Sequence, residues 1–286
     1  MKSILVQFDT DVQPSVFDRV VAVDSGVEQL FAYGGVTPET VESLVHGAIF
    51  TRGVHDLSST AIFVGGSDVA AGEQVFAAVQ EAFFGPMRVS VMMDSNGSNT
   101  TAAAAVLRAR RHVTLAGSVA VVLGGTGPVG QRAAELLALE GARVRVGSRS
   151  LERAAATCES IATRVAEAEL DPVATGDSDS VAAALAGATT VIAAGATGVQ
   201  LISAETLAAS DLQVAIDLNA VPPLGIEGVE MTDKAVESGG VVRYGAIGVG
   251  GTKMKIHTAA LKRLFVANDG VLDTEAIYRI GESLEK

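Results

Sequence analysis

Five apolar residues, Val119-Ala120-Val121-Val122-Leu123, run into Gly124-Gly125-Thr126-Gly127-Pro128-Val129-Gly130 and then into the helical pattern Gln131–Glu140. Gly125, Gly127 and Gly130 match G-x-G-x-x-G, and their place between a strand and a helix restricts this part of the chain to an α/β crossover unit suited to a dinucleotide. Gly125 permits the tight turn, Gly127 lets backbone N–H groups approach a pyrophosphate, and Gly130 lets helix and strand pack closely. Pro128 suits the first turn of the helix, whose positive end faces the phosphates, and Thr126 and Val129 complete the loop. The alternative is a βα turn that binds nothing.

The following strand decides between dinucleotides. An NAD site places Asp or Glu at the end of Arg143-Val144-Arg145-Val146, but here Gly147-Ser148-Arg149-Ser150 follows, with Arg153 one turn into the next helix. A carboxylate repels a 2′-phosphate, whereas Ser148, Arg149, Ser150 and Arg153 bind one through charge-assisted hydrogen bonds. NADP is therefore the expected cofactor, unless Arg149 merely caps a surface turn. Further strand ends carry small residues, Ala194-Gly195, Asn219-Ala220 and Ala246-Ile247, which leave room for ribose and nicotinamide. Asn219 reads equally as a hydrogen-bond partner of the nicotinamide or as a turn residue before Pro222-Pro223.

Around this unit, Val- and Ile-rich runs alternate with helical stretches in two series, one over residues 4–107 and one from 118 on. The fold expected is α/β with two domains: a Rossmann-type parallel sheet for NADP over 113–254, and a smaller α/β N-terminal domain over 1–112, completed by C-terminal helices at 255–286. The basic stretch Arg108-Ala109-Arg110-Arg111-His112 marks the boundary and reads as a solvated helix end. With no Trp and only 4% aromatics, the core must be built from Ala, Val, Leu and Ile.

Composition excludes several functions. A net charge of −12 repels nucleic acid and anionic membranes, so any anionic ligand needs a local cationic cluster. One cysteine, Cys158, rules out an intramolecular disulfide, and His46, His55, His112 and His257 have no metal-ligand spacing. No membrane span or signal sequence is read, and a cytoplasmic setting is expected.

A second polar site is read at the end of Val89–Met92, where Asp94-Ser95-Asn96-Gly97-Ser98-Asn99-Thr100-Thr101 opens an alanine-rich helix. Seven of these eight residues carry hydrogen-bonding side chains. A cap built on Ser98 or Asn99 needs only one, and Asp94 is suited to accept from a guanine-like pterin edge.

Gln7-Phe8-Asp9-Thr10-Asp11 with Pro14-Ser15-Val16-Phe17-Asp18, the Asp94–Thr101 run, Gly125–Gly130, Pro222-Pro223-Leu224-Gly225-Ile226 and Gly248–His257 together resemble the bacterial NADP-dependent methylene-tetrahydromethanopterin dehydrogenases of methylotrophs. The resemblance spans nearly the whole chain. It implies reversible oxidation of the methylene bridge of methylene-tetrahydromethanopterin, with methylene-tetrahydrofolate as a second candidate, to the methenyl cation. It also implies a homotrimer or a multiple of it, and a reduced pterin held in the cleft between the domains. The substrate residues expected are Asp9, Asp11, Phe17, Asp94, Ser95, Asn96, Ser98, Asn99, Thr100 and Lys255, with Lys253 as the catalytic-site lysine. Lys253 and Lys255 lie about 200° apart around a helix, so one of them faces the site and which one stays open.

Two rivals are kept. Ser148-Arg149-Ser150-Leu151-Glu152-Arg153-Ala154 also resembles the NADP loop of shikimate-dehydrogenase-like and folate dehydrogenase/cyclohydrolase-like enzymes, which place a catalytic lysine in the N-terminal domain; residues 1–112 here contain only Lys2. The other is a non-catalytic NADP-binding sensor, for which the Asp94–Thr101 run is superfluous.

Overall fold

The structure, a computed structural model, describes residues 1–285. The chain divides into two compact units.

The first comprises Met1–Thr100 and the residues from Met254 on. Its strands are β1 (Ile4–Asp9), β2 (Gln29–Tyr33), β3 (Thr60–Gly65), β4 (Ser90–Met93) and the two-residue β12 (Val271–Leu272). They form a five-stranded sheet in the order β12-β4-β3-β1-β2, with every pair parallel. Helices α1 (Val16–Asp24), α2 (Pro38–Ile49), α3 (Val69–Glu81) and α10 (Thr274–Ser283) belong to the same unit, as does the start of α4 (Ser98–Arg110). β3 and β4 are buried along their whole length, which is why each reads as a mostly apolar run after a single polar residue, Thr60 or Ser90. Their core is Val6, Phe8, Val41, Val45, Ile62, Val75, Val79 and Val91 among others, largely aliphatic as the composition demands.

The second unit, Thr101–Lys253, holds β5 (Val119–Leu123), α5 (Pro128–Leu139), β6 (Arg143–Ser148), α6 (Leu151–Ala162), β7 (Leu170–Ala174), α7 (Ser178–Leu185), β8 (Thr190–Ala193), α8 (Ala204–Ala208), β9 (Val214–Asp217), β10 (Lys234–Ser238) and β11 (Val241–Tyr244). The seven-stranded sheet runs β10-β11-β9-β8-β5-β6-β7, parallel throughout except for the edge pair β10/β11. Taken without β10, this is the doubly wound order in which the sequence of strands reverses between β5 and β8, the place where such sheets bind ligands. Helix α9 (Ala246–Arg263) follows β11.

Three differences from the sequence reading have physical causes. Gly245–Gly248 was expected as a strand end; it is the entry to α9, and a side chain at Gly245 or Gly248 would collide with the backbone of Glu230–Met231 or Asp233. Arg108, expected in a solvated helix end, is only 8% exposed, whereas Arg110 faces solvent and pairs with Glu140 at 3.4 Å. Strands β2, β7, β10 and β12 were not read at all.

Candidate active site

At the switch point the loop after β5 and the loop after β8 enclose a cavity of about 590 Å³. Gly124, Thr126, Gly127 and Pro128 form one wall, Ser148, Arg149, Ser150 and Arg153 a second, and Ala194 and Gly195 a third. The glycines divide their labour. Gly124 has φ +71, a conformation that side chains rarely adopt, and a Cβ at Gly130 would lie 2.3 Å from the Gly124 carbonyl oxygen and 2.8 Å from Gly125 Cα. Gly125 is buried behind the loop, and its own Cβ would meet the Val146 side chain at 2.7 Å. A Cβ at Gly127, by contrast, meets nothing closer than 3.3 Å, so Gly127 is the glycine that leaves room for a ligand.

Helix α5 begins at this wall with Gly127 as its N-cap and Pro128 in its first turn. Its unpaired N–H groups and positive dipole end therefore bound the cavity, as a pyrophosphate requires. On the β6 side the Ser150 N–H donates to Ser148 Oγ at 3.2 Å, and Ser150 Oγ caps α6 by accepting from Arg153 N at 3.3 Å. Both hydroxyls are thus held while the Arg149 and Arg153 side chains stay exposed at the cavity edge. No carboxylate lines this cavity, so the donor set fits a phosphate-bearing ribose.

Six residues expected at the dinucleotide site do not line the cavity: Gly125 and Gly130, which pack behind the loop, and four others. Val129 lies in α5, and Ala246 and Ile247 lie in the first turn of α9. Asn219 spends its amide on its own turn, accepting from Val221 N at 3.0 Å and donating to the Pro223 carbonyl at 3.2 Å. Behind it stands Asp217, a residue the sequence reading passed over although a carboxylate ending an apolar strand is itself a signal. Asp217 is buried and accepts from Asn219 N at 2.9 Å and Ile226 N at 2.8 Å, which pins the whole 219–226 loop. Burial raises its pKa above the usual carboxylate value, against the pull of those amides. On this group's titration alone, stability is greatest below the ordinary pKa and declines as pH rises through the raised one. Asp217→Ala leaves two buried N–H groups unpaired and is expected to lower unfolding free energy by about 2–4 kcal/mol in urea titration; a loss under about 0.5 kcal/mol would show that the loop re-pairs elsewhere.

In the first unit the expected substrate residues gather at the carboxyl ends of β1 and β4. Asp9 is fully buried and accepts from Asp11 N, Ser15 N and Gln7 Nε2 at 3.0–3.1 Å. Asp11, partly exposed, accepts from Ser67 N at 3.0 Å and Ser67 Oγ at 2.8 Å. Asp94 is likewise fully buried; its two oxygens accept from Thr100 N at 3.0 Å and Thr100 Oγ1 at 2.6 Å. Asn99 bridges the Met93 carbonyl and Thr274 Oγ1, and Ser98 Oγ donates to the Ser95 carbonyl. Ser95, Ser98, Asn99 and Thr100 are all buried, so much of the polar run builds the corner between β4 and α4. Asn96 is exposed, with φ 55, a left-handed conformation that Asn tolerates better than most residues. Phe17, at the start of α1, is 49% exposed.

Within α9, Lys253 is partly buried, Lys255 is exposed, and His257 is fully buried one turn beyond Lys253. The His257 ring stacks on Phe63 of β3, with centroids 5.9 Å apart and planes at 15°, and lies 6.3 Å from the Phe17 ring. Its Nδ1 is 4.0 Å from Asp94 Oδ2. Sequence reading missed His257 because it sought only metal spacing; among the described residues no three His, Cys, Asp or Glu converge as ligands would.

The model for the N-terminal domain of methylene-tetrahydromethanopterin dehydrogenase matches residues 16–96. Over 286 residues, 99% of both chains, the protein is 48% identical to one named bifunctional protein MdtA from Methylorubrum extorquens. It is 33% identical over 290 residues, 98% of this chain and 97% of the other, to an NAD(P)-dependent methylenetetrahydromethanopterin dehydrogenase of the same organism. Quinate dehydrogenase from Corynebacterium glutamicum, solved with NAD, superposes over 99% of each chain with a TM-score of 0.55 at 13% identity, a likeness of fold alone.

Proposed function

Because the chain belongs to the methylene-tetrahydromethanopterin dehydrogenase family, we propose that it catalyses reversible hydride transfer from the methylene bridge of methylene-tetrahydromethanopterin to NADP+. The observation that carries the cofactor half of this reading is the cavity between the β5 and β8 loops, with Arg149 and Arg153 on its wall and no carboxylate lining it. Gly124, Gly127 and the start of α5 would hold the pyrophosphate, and Ser148, Arg149, Ser150 and Arg153 the 2′-phosphate. Bound there, the dinucleotide would supply the hydride acceptor, its nicotinamide ring.

The carbon that loses hydride is flanked by two nitrogens whose lone pairs stabilise the cation as it forms. No protein base is required, and the chain's task is placement and electrostatics. On the pterin side, Phe17 offers an exposed aromatic face for a flat ring, while Asp11 and Asn96 offer polar contacts around it; Lys253, partly buried on α9, is the lysine that the family likeness assigns to the pterin. Asp9, Asp94, Ser95, Ser98, Asn99 and Thr100 stand behind these and fix the loops that carry them; Lys255, exposed on another face of α9, is the weaker candidate of the two lysines.

The test is an absorbance assay of NADPH formation with methylene-tetrahydromethanopterin and methylene-tetrahydrofolate in parallel; failure with both would refute the reading. Arg149→Ala is expected to weaken NADP+ binding by about ten- to a hundredfold, the worth of one charge-assisted hydrogen bond, and to leave NAD+ binding nearly unchanged in calorimetric titration. Equal losses for both cofactors would remove Arg149 from the 2′-phosphate. No helix among the described residues is long and apolar enough to cross a membrane. A cytoplasmic homotrimer, or a multiple of it, is the assembly that accompanies this function.

A further inference from the structure

We propose that His257 and Asp94 act as one positioning unit that sets where the reduced pterin lies for hydride transfer, an inference that rests on the dehydrogenase reading above. Three elements distant in sequence meet at the His257 ring: Phe17 from α1, Phe63 from β3 and the Asp94 carboxylate at the end of β4. The same carboxylate holds the first turn of α4 through both donors of Thr100. An imidazole among aromatic rings at zero exposure is costly to bury, and a leucine or phenylalanine would fill the space more cheaply. What the imidazole adds is a polar edge 4.0 Å from the Asp94 carboxylate, and closing that gap would fix the ring about an axis that packing leaves free.

That constraint reaches the ligand by two routes. Phe17 packs against His257 at a 41° tilt with ring centroids 6.3 Å apart and leaves 49% of its surface exposed, so the ring offered to a pterin is braced at one edge by the imidazole. Lys253 stands one turn before His257 on the same face of α9, so a rotation of the helix at 257 carries the lysine with it. The Nδ1 to Oδ2 separation of 4.0 Å is longer than a hydrogen bond, and contacts of this sort tighten when a site fills. A displacement near 1 Å at either route is enough to cost about 100-fold in rate.

His257→Phe keeps the ring and its stack on Phe63 but removes the nitrogens, whereas His257→Asn drops the ring and keeps a donor near the Nδ1 position. Steady-state kinetics with methylene-tetrahydromethanopterin, normalised to NADP+-binding sites, should show kcat of the phenylalanine variant lowered about ten- to a hundredfold. NADP+ affinity should be unchanged, and the deuterium isotope effect from a deuterated methylene group should rise because hydride transfer becomes limiting. His257→Asn should recover part of the loss, and the double variant Asp94→Asn/His257→Phe should be no worse than the poorer single variant.

The proposal is overturned if His257→Phe turns over within threefold of the parent, if its loss comes with weakened NADP+ binding, or if the two losses multiply in the double variant. Should His257→Phe fail to fold, Asp94→Asn, equal in volume, carries the same kcat and isotope-effect comparison. A parent protein inactive with either reduced pterin would instead refute the dehydrogenase reading.

Discussion

Gly127→Val is expected to abolish NADP+ binding, a loss of at least about 100-fold or roughly 2.7 kcal/mol, in a chain that still folds. The distinction from its neighbours rests on where each added carbon would go. At Gly124 it would sit 2.7 Å from the Ala194 carbonyl oxygen in a left-handed backbone, and at Gly130 it would sit 2.3 Å from the Gly124 carbonyl oxygen. Substitution there breaks the loop before any ligand arrives. At Gly127 the closest atoms are the Gly124 carbonyl oxygen at 3.3 Å and the Ala194 carbonyl oxygen at 3.8 Å, which the loop absorbs with a small shift. The valine methyl groups then occupy the space that the start of α5 keeps for a pyrophosphate. Calorimetric titration beside a thermal melt is the measurement: Gly127→Val should lose binding at near-parental Tm, and Gly130→Ala should lose both. Retained NADP+ affinity in the valine variant would move the dinucleotide out of this cavity.

The same geometry explains which parts of the molecule the sequence displayed. The β5 loop was legible because its signal is local: three glycines within six residues, of which Gly130 is crowded by the loop's own backbone, Gly125 by the neighbouring strand, and Gly127 is left open for a ligand. β3, β4 and β9 were legible as short apolar runs, since a parallel strand buried on both faces has few polar positions, here only Thr60, Ser90 and Asp217 at strand ends. β7 hid behind Asp171 and Pro172, which an edge strand tolerates and a central one does not. β10 is exposed along its whole length and carries Lys234 and Glu237, so it showed no apolar pattern, although Gly239-Gly240 before β11 is a hairpin signal that was there to be used. β2, Gln-Leu-Phe-Ala-Tyr, alternates with its larger rings on the exposed side and so gave no buried stripe.

The pterin side was legible in composition and opaque in role. Seven polar side chains in eight residues announced a special corner, but whether each faces a ligand or a neighbour depends on partners that no local pattern names. Asp94 turns to Thr100 six residues on, Asn99 to Thr274 across 175 positions, and His257 to rings at 17 and 63. Residues whose partners lie that far along the chain can be nominated from sequence as unusual, and only the fold assigns them to a wall or to its support.

Lys253→Ala is expected to lower kcat with methylene-tetrahydromethanopterin by about 100-fold, with NADP+ affinity intact. The argument turns on charge. Loss of hydride leaves a cation on the pterin, and a second cation nearby cannot stabilise that transition state through its charge. An ammonium retained at such a place earns its keep by donating hydrogen bonds that orient the ring, and its partly buried stem limits the directions it can take, unlike the exposed Lys255. Loss of orientation slows the chemical step without touching the dinucleotide cavity, none of whose walls includes residue 253. Lys253→Arg separates the two possibilities further, since it keeps the charge and alters the donor geometry: a placement role predicts that arginine rescues poorly, and a role for charge alone predicts that it rescues well. Lys255→Ala, on the exposed face of α9, should stay within threefold of the parent. Steady-state kinetics of the three variants beside an NADP+ titration decides: parental kcat in Lys253→Ala would take this lysine out of the site, and a loss confined to Lys255→Ala would exchange the roles of the two.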